Sequence, residues 1–87
     1  MAYMMVRHKV RDFNEWKPGY DGHKSAREAA GLKEVYLLRN ADDPHEVIAL
    51  FEAADLEKAR AFADSEDLKQ KMQEVGIIDR PDIYFLE

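Results

Sequence analysis

The sequence contains no cysteine. That removes disulfides, cysteine-ligated zinc and thiol catalysis together, and it fits a reducing, cytoplasmic setting. Proline and glycine are sparse, three and four residues respectively, and they fall singly or in pairs where elements should end. No linker, repeat or low-complexity tract is therefore expected. No apolar run reaches the length of a membrane span. The start, Met-Ala-Tyr-Met-Met-Val-Arg-His-Lys, places its basic residues after the short apolar stretch, unlike a secretory signal. Basic charge is in deficit, with thirteen basic against eighteen acidic side chains and a formal charge of −5, which opposes nucleic acid or an anionic membrane as partner. Length is short as well. A chain of 87 residues is read as one domain, residues 1–87, and folding removes only about 64% of its unfolded surface from water.

What is present is apolar and patterned. The hydrophobic fraction is 46%, with four Phe, four Tyr and one Trp, which excludes a disordered chain. From Tyr3 to Val10, the residues Met4, Val6, His8 and Val10 alternate with Tyr3, Met5, Arg7 and Lys9, as in a strand with one cleaner apolar face. Asp12 and Glu15 then form a helix-capping arrangement. Phe13, Trp16, Tyr20, His23 and Arg27 follow at spacings of three and four and share one helix face. Pro18 and Gly19 predict a kink or break, with the helix resuming and ending at Gly31.

Leu32–Asn40 and Glu46–Glu52 are rich in branched and aromatic residues, and the intervening Ala-Asp-Asp-Pro-His predicts a hairpin with a loop of about five residues. Asp55 caps a second helix with Leu56, Ala59, Phe62 and Ala63 on one stripe. Ser65 recaps a continuation through Leu68, Met72 and Val75 to Gly76. Pro81 opens a last strand, Asp82 to Leu86. The order is β-α-β-β-α-β, so the fold class is α+β. The expected architecture is a ferredoxin-like sandwich with a four-stranded antiparallel sheet and both helices on one face.

Helices cover one face only, yet Val35–Leu38, Val47–Phe51 and Ile83–Leu86 are apolar on both. The uncovered face of four such strands projects to roughly 330 Å², comparable with the largest patch a soluble monomer usually tolerates. The expected partner is a second copy, packed sheet to sheet into an α/β barrel.

The run His8-Lys9-Val10, Asp12-Phe13-x-x-Trp16-Lys17, Tyr20-Asp21, Arg27 and Gly31 carries a family likeness. So do Arg39-Asn40-x-Asp42-Asp43-Pro44, Glu52, Asp55-Leu56-x-Lys58-Ala59-x-Ala61-Phe62 and the ending Ile83-Tyr84-Phe85-Leu86-Glu87. Together they resemble the small dimeric α/β-barrel proteins, a superfamily that includes antibiotic-biosynthesis monooxygenase-like domains, polyketide cyclases, muconolactone isomerase and stress-responsive barrel domains. The resemblance implies a homodimer and a ligand cavity between sheet and helices or within the barrel, and it leaves the reaction open. The haem-degrading branch relies on an Asn, a Trp and a haem-ligating His on the second helix, and Asp55 to Gly76 has neither Trp nor His. The quinone-forming monooxygenases use an Asn-Trp-Tyr constellation, whereas Trp16 lies on the first helix. The cyclase and stress-barrel branches often carry a first-strand His, which His8-Lys9-Val10 matches.

His8 interrupts an apolar strand face, where its imidazole can act as general acid or base, or simply pack half-buried. His23 shares a helix face with Trp16 and Tyr20 and either lines the same cavity or packs on the helix surface. His45 is expected in solvent. Along an antiparallel helix His23 lies about 16 Å from the end where His8 sits, so no metal site is expected. No cofactor is expected either. Trp16, Tyr20, Tyr36 and Tyr84 are candidates for an aromatic wall around a flat ligand, and also for plain core. Arg27 and Arg39 can hold a carboxylate or stabilise an enolate, or can be surface ion-pair partners.

The resulting expectation is a cofactor-independent cyclase or isomerase acting on a small hydrophobic, aromatic or polyketide-like molecule. His8 is its general acid/base, with Tyr36 or Arg39 polarising an oxygen and Trp16, Tyr20, His23 and Tyr84 contacting the ligand. The alternatives are a non-catalytic ligand-binding or stress-associated dimeric module and a cofactor-free monooxygenase.

Overall fold

A computed structural model describes residues 2–65, 68–70 and 81–87 of the chain. The elements run β1 (Ala2–Lys9), α1 (Phe13–Gly22), α2 (Lys24–Ala29), β2 (Leu32–Asn40), β3 (Asp43–Ala53), α3 (Leu56–Ala63) and β4 (Asp82–Leu86). The strands form one antiparallel sheet in the order β2-β3-β1-β4. This is the ferredoxin-like architecture expected from the element order.

The two central strands alternate as a half-covered sheet must. Met4, Val6, His8 and Val10 on β1 and its end are buried, as are Val47, Ala49, Phe51 and Ala53 on β3. The register pairs Met4 with Phe51, Val6 with Ala49 and His8 with Val47, so these side chains form one face beneath the helices. α1 sets Trp16 onto Val10 and Val47, and α3 sets Ala59 into the cluster of Met4, Val6 and Phe51. Both helical layers therefore cover the same face. Among the described residues no helix is long and apolar enough to cross a membrane.

Capping follows the expected chemistry. The carboxylates of Asp12 and Asp55 accept from the backbone N–H of Asn14 and Glu57, both at 2.9 Å, and Ser65 Oγ accepts from Leu68 N–H at 3.2 Å. Gly31 ends the first helical region with φ of +77°, and a Cβ there would lie 3.4 Å from that of Ala54. The expected continuation through Met72 and Val75 to Gly76 lies outside the described residues.

Two expectations need correction. No break falls at Pro18: α1 runs through it, and both Pro18 and Asn14, whose carbonyl loses its donor, are exposed residues. The break falls at His23, with φ −96° and ψ 7°. The hairpin loop is two residues, Ala41 and Asp42, not five. Asn40 pairs with Asp43, and the Asn40 side chain accepts from Asp42 N–H at 2.8 Å. That side-chain turn lets Asp43, Pro44 and His45 join the strand.

Candidate functional site

His8 reaches the interior because strand alternation leaves no other choice once Met4 and Val6 are in the core. It is 5% exposed, and its Nδ1 is buried from solvent. The helical stripe read from the sequence lies directly over it. The His8 and Trp16 rings meet edge-on at 5.4 Å, and Trp16 packs on Tyr20 at 4.7 Å and on Phe13 at 5.6 Å. On α2 the Arg27 guanidinium lies 3.8 Å from the Tyr20 ring centre. At the α1–α2 break His23 packs against Phe62 of α3 at 5.7 Å.

These residues line a half-open cavity between sheet and helices. Met4, Val6, Ala49, Phe51 and Ile83 form its floor, and Trp16, Gly19, Tyr20, His23, Arg27, Phe62 and Leu68 its roof and sides, with His8 rising from the floor. The centre of a water-sized sphere can occupy about 60 Å³ of it, several times the space one water needs. Two of the lining residues, Gly19 and Ala49, are small and leave space that larger side chains would fill. The walls are almost wholly apolar, and the lining residues that carry polar side-chain groups are His8, Trp16, Tyr20, His23 and Arg27.

The phenol is held neutral. Burial pushes the Tyr20 hydroxyl above the ordinary phenol range, and the hydrogen bond it donates to Glu34 at 2.6 Å pushes it further, with Arg27 pulling the other way. Tyr20 is therefore a wall and an anchor, not an acid or base near neutrality. Tyr20 and Arg27 also line a second, more polar groove between α1, α2 and the edge strand β2, with Lys17, Lys24 and Glu34 along its rim. They separate the apolar cavity from that groove.

Of the residues picked out in the sequence, His8, Trp16, Tyr20 and His23 line one cavity. Tyr36, Tyr84 and Arg39 do not. Tyr36 and Tyr84 lie on the opposite face of the sheet, 58% and 49% exposed, in register with Leu50 and Met5. For Tyr36 the cause is a β-bulge between Glu34 and Tyr36. Strict alternation from buried Leu32 would turn Tyr36 inward, and the extra residue turns Leu37 inward in its place. Arg39 pairs in register with Val47 but sits on the edge strand, exposed, with its guanidinium 4.4 Å over Phe13. His8, Tyr36 and Arg39 thus form no constellation within the chain.

His8 and His23 line the same space. Among the described residues no group of three or more His, Asp or Glu side chains is placed to hold a metal ion. Sequence reasoning missed Phe51, Phe62 and Ile83 as cavity walls. The inward alternation of Val47, Ala49 and Phe51 was the available signal for the first.

No family model matches the chain, and no curated protein matches its sequence. Solved structures do match along nearly its full length. A provisionally named antibiotic biosynthesis monooxygenase from Bordetella bronchiseptica superposes with a TM-score of 0.79 at 15% identity, covering 99% of this chain and 94% of that one. SnoaB from Streptomyces nogalater, a cofactor-independent oxygenase solved as a substitution variant, gives 0.73 at 12% identity, covering 99% and 90%. A further provisionally named antibiotic biosynthesis monooxygenase, from Caulobacter crescentus, gives 0.74 at 14%, covering 98% and 86%. At these identities the likeness establishes a shared fold.

Proposed function

We propose that the chain is an enzyme that oxygenates a small phenolic ring with dioxygen and without a cofactor, His8 taking the phenolic proton. The observation that carries this reading is a 5%-exposed imidazole lining a half-open apolar cavity between sheet and helices. That the same fold serves a cofactor-independent oxygenase in Streptomyces nogalater supports it.

The chemistry needs little else from the protein. A neutral imidazole accepts the phenolic proton, and the resulting phenolate is electron-rich enough to reduce dioxygen. In net form a phenol and O₂ give a quinone and water, the substrate supplying all four electrons, so no external reductant enters. An apolar lining admits dioxygen and limits the water around the reduced oxygen species. The cyclase or isomerase reading loses support by comparison, because Tyr36 and Arg39, its oxygen-polarising groups, lie outside the cavity.

The test is oxygen uptake by the purified protein with single-ring hydroquinones and naphthols, with ¹⁸O₂ to follow the transferred atom. Uptake with label in the product, reduced about a hundredfold or more in His8→Gln, is the expected result. Product without oxygen uptake would point to proton-transfer chemistry. Binding without turnover would point to a carrier module.

We infer further that two copies pack through the uncovered sheet face into the barrel that the sequence resemblance implies. Tyr36, Leu38, Tyr84 and Leu86 on that face are 58%, 54%, 49% and 40% exposed, which supports a covering partner of like shape.

A further inference from the structure

Arg27 is 8% exposed, and a guanidinium so buried is ordinarily matched by a carboxylate. Here it is not. Its Nη1 donates to the Tyr20 carbonyl oxygen at 2.7 Å, near the partly negative C-terminal end of α1. Its plane stacks 3.8 Å from the Tyr20 ring centre, and the Phe51 ring lies at 5.8 Å. Among the described residues no carboxylate forms an ion pair with it. Glu34, the acid close at hand, is engaged with the Tyr20 hydroxyl instead. A guanidinium has five N–H donors in a fixed fork, and one carbonyl oxygen leaves most of them for another acceptor.

Arg27 also forms part of the cavity wall. A molecule entering the cavity meets aromatic and aliphatic surface almost everywhere, and Arg27 is the lining residue that carries a permanent positive charge. We propose that Arg27 is a specificity-determining residue that receives the carboxylate of an aromatic carboxylic acid, the ring lying along Trp16 and Phe51. Planarity matters as much as charge: the fork matches a carboxylate bidentately, and a carboxylate held in apolar surroundings is worth more than one in water. The proposal rests on the cavity being the ligand site and adds the substrate class to the reading above, namely a hydroxylated benzoate instead of a neutral phenol.

The experiment compares benzoate with benzamide, its neutral near-isostere. The chain has a single tryptophan, Trp16, so its indole N–H gives one NMR resonance at the cavity wall on which both titrations are read. The expected result is benzoate binding at least about tenfold more tightly than benzamide to the unaltered protein. Arg27→Met should abolish that preference by weakening benzoate binding far more than benzamide binding, and Arg27→Lys should keep part of it, as a charge without the fork. Equal affinities in the unaltered protein overturn the proposal. So do a preference that survives Arg27→Met and an indole resonance that neither compound moves. The first comparison needs no variant, so it decides even where Arg27→Met fails to fold. Equal affinities together with oxygen uptake from neutral phenols would sink the role of Arg27 alone. A clear benzoate preference with no oxygen uptake from hydroxybenzoates would sink the oxygenase alone.

Discussion

Tyr20 joins three functions in one side chain, since its ring packs on Trp16 and under Arg27 while its hydroxyl binds Glu34. A phenol whose pKa is raised on folding stabilises the fold fully below the unfolded value near 10 and loses that contribution as pH rises through the folded value. Urea midpoints should therefore fall from about pH 10 upward, and Tyr20→Phe should flatten that alkaline decline while leaving the midpoint at pH 7 within about 1 kcal/mol. Trp16, at 3% exposure, supports both the second core cluster and the cavity. Trp16→Ala should cost about 3–5 kcal/mol, a large part of a small domain's stability, and equilibrium unfolding measures it. The His8, Trp16, Tyr20, His23 and Arg27 stripe was readable because helical and strand periods fix which residues share a face. Which of those residues would border empty space was not readable, because cavities arise from how facing layers fit, with small residues such as Gly19 and Ala49 in the lining.

α1 is a helix built against local preference. Pro18 removes the donor for the Asn14 carbonyl, yet the helix continues for four more residues, held by the burial of Trp16 and by the Asp12 cap. Pro18→Ala restores the missing bond and should raise the melting temperature, by an amount equivalent to about 1 kcal/mol or more. Removing the caps acts in the other direction. Asp12→Ala and Asp55→Ala should each cost about 1 kcal/mol, a fall of roughly 4–8 °C in a chain of this size. The hairpin illustrates the limit of reading turn formers alone. Asp-Asp-Pro-His has the composition of a loop, but Asp43 accepts from His45 N–H at 3.0 Å and pairs with Lys9 at 3.3 Å. Both interactions hold its carboxyl below the usual carboxylate range, the His45 bond foremost. The segment is thereby drawn into β3.

At the scale of the whole molecule the sheet is asymmetric in what covers it. One face carries the helices and the cavity. The other displays Tyr36, Leu38, Tyr84 and Leu86, with Arg7 tying β1 to β3 and β4 through Glu46 at 3.1 Å and Asp82 at 2.9 Å. Sedimentation at micromolar concentration should show a dimer, and Tyr36→Glu combined with Leu38→Glu should shift it to monomer, since both side chains are exposed on the apolar face. A stable monomer of the unaltered chain would overturn the sheet-to-sheet assembly.

The amino-acid sequence by itself determined the element order, the antiparallel ferredoxin-like sheet, the helix stripe and the presence of two apolar sheet faces, because periodicity and capping act over a few residues. Only the tertiary structure decided which tyrosines face which side, since one bulged residue in β2 reverses Tyr36. It also decided that Arg27 is buried beside an apolar space without a carboxylate partner among the described residues. Burial and partnership depend on what distant elements bring to the same point, and no local pattern encodes that. A thin core without cysteine is built by packing the helices on one face of the sheet, over the cavity that His8 and Trp16 line.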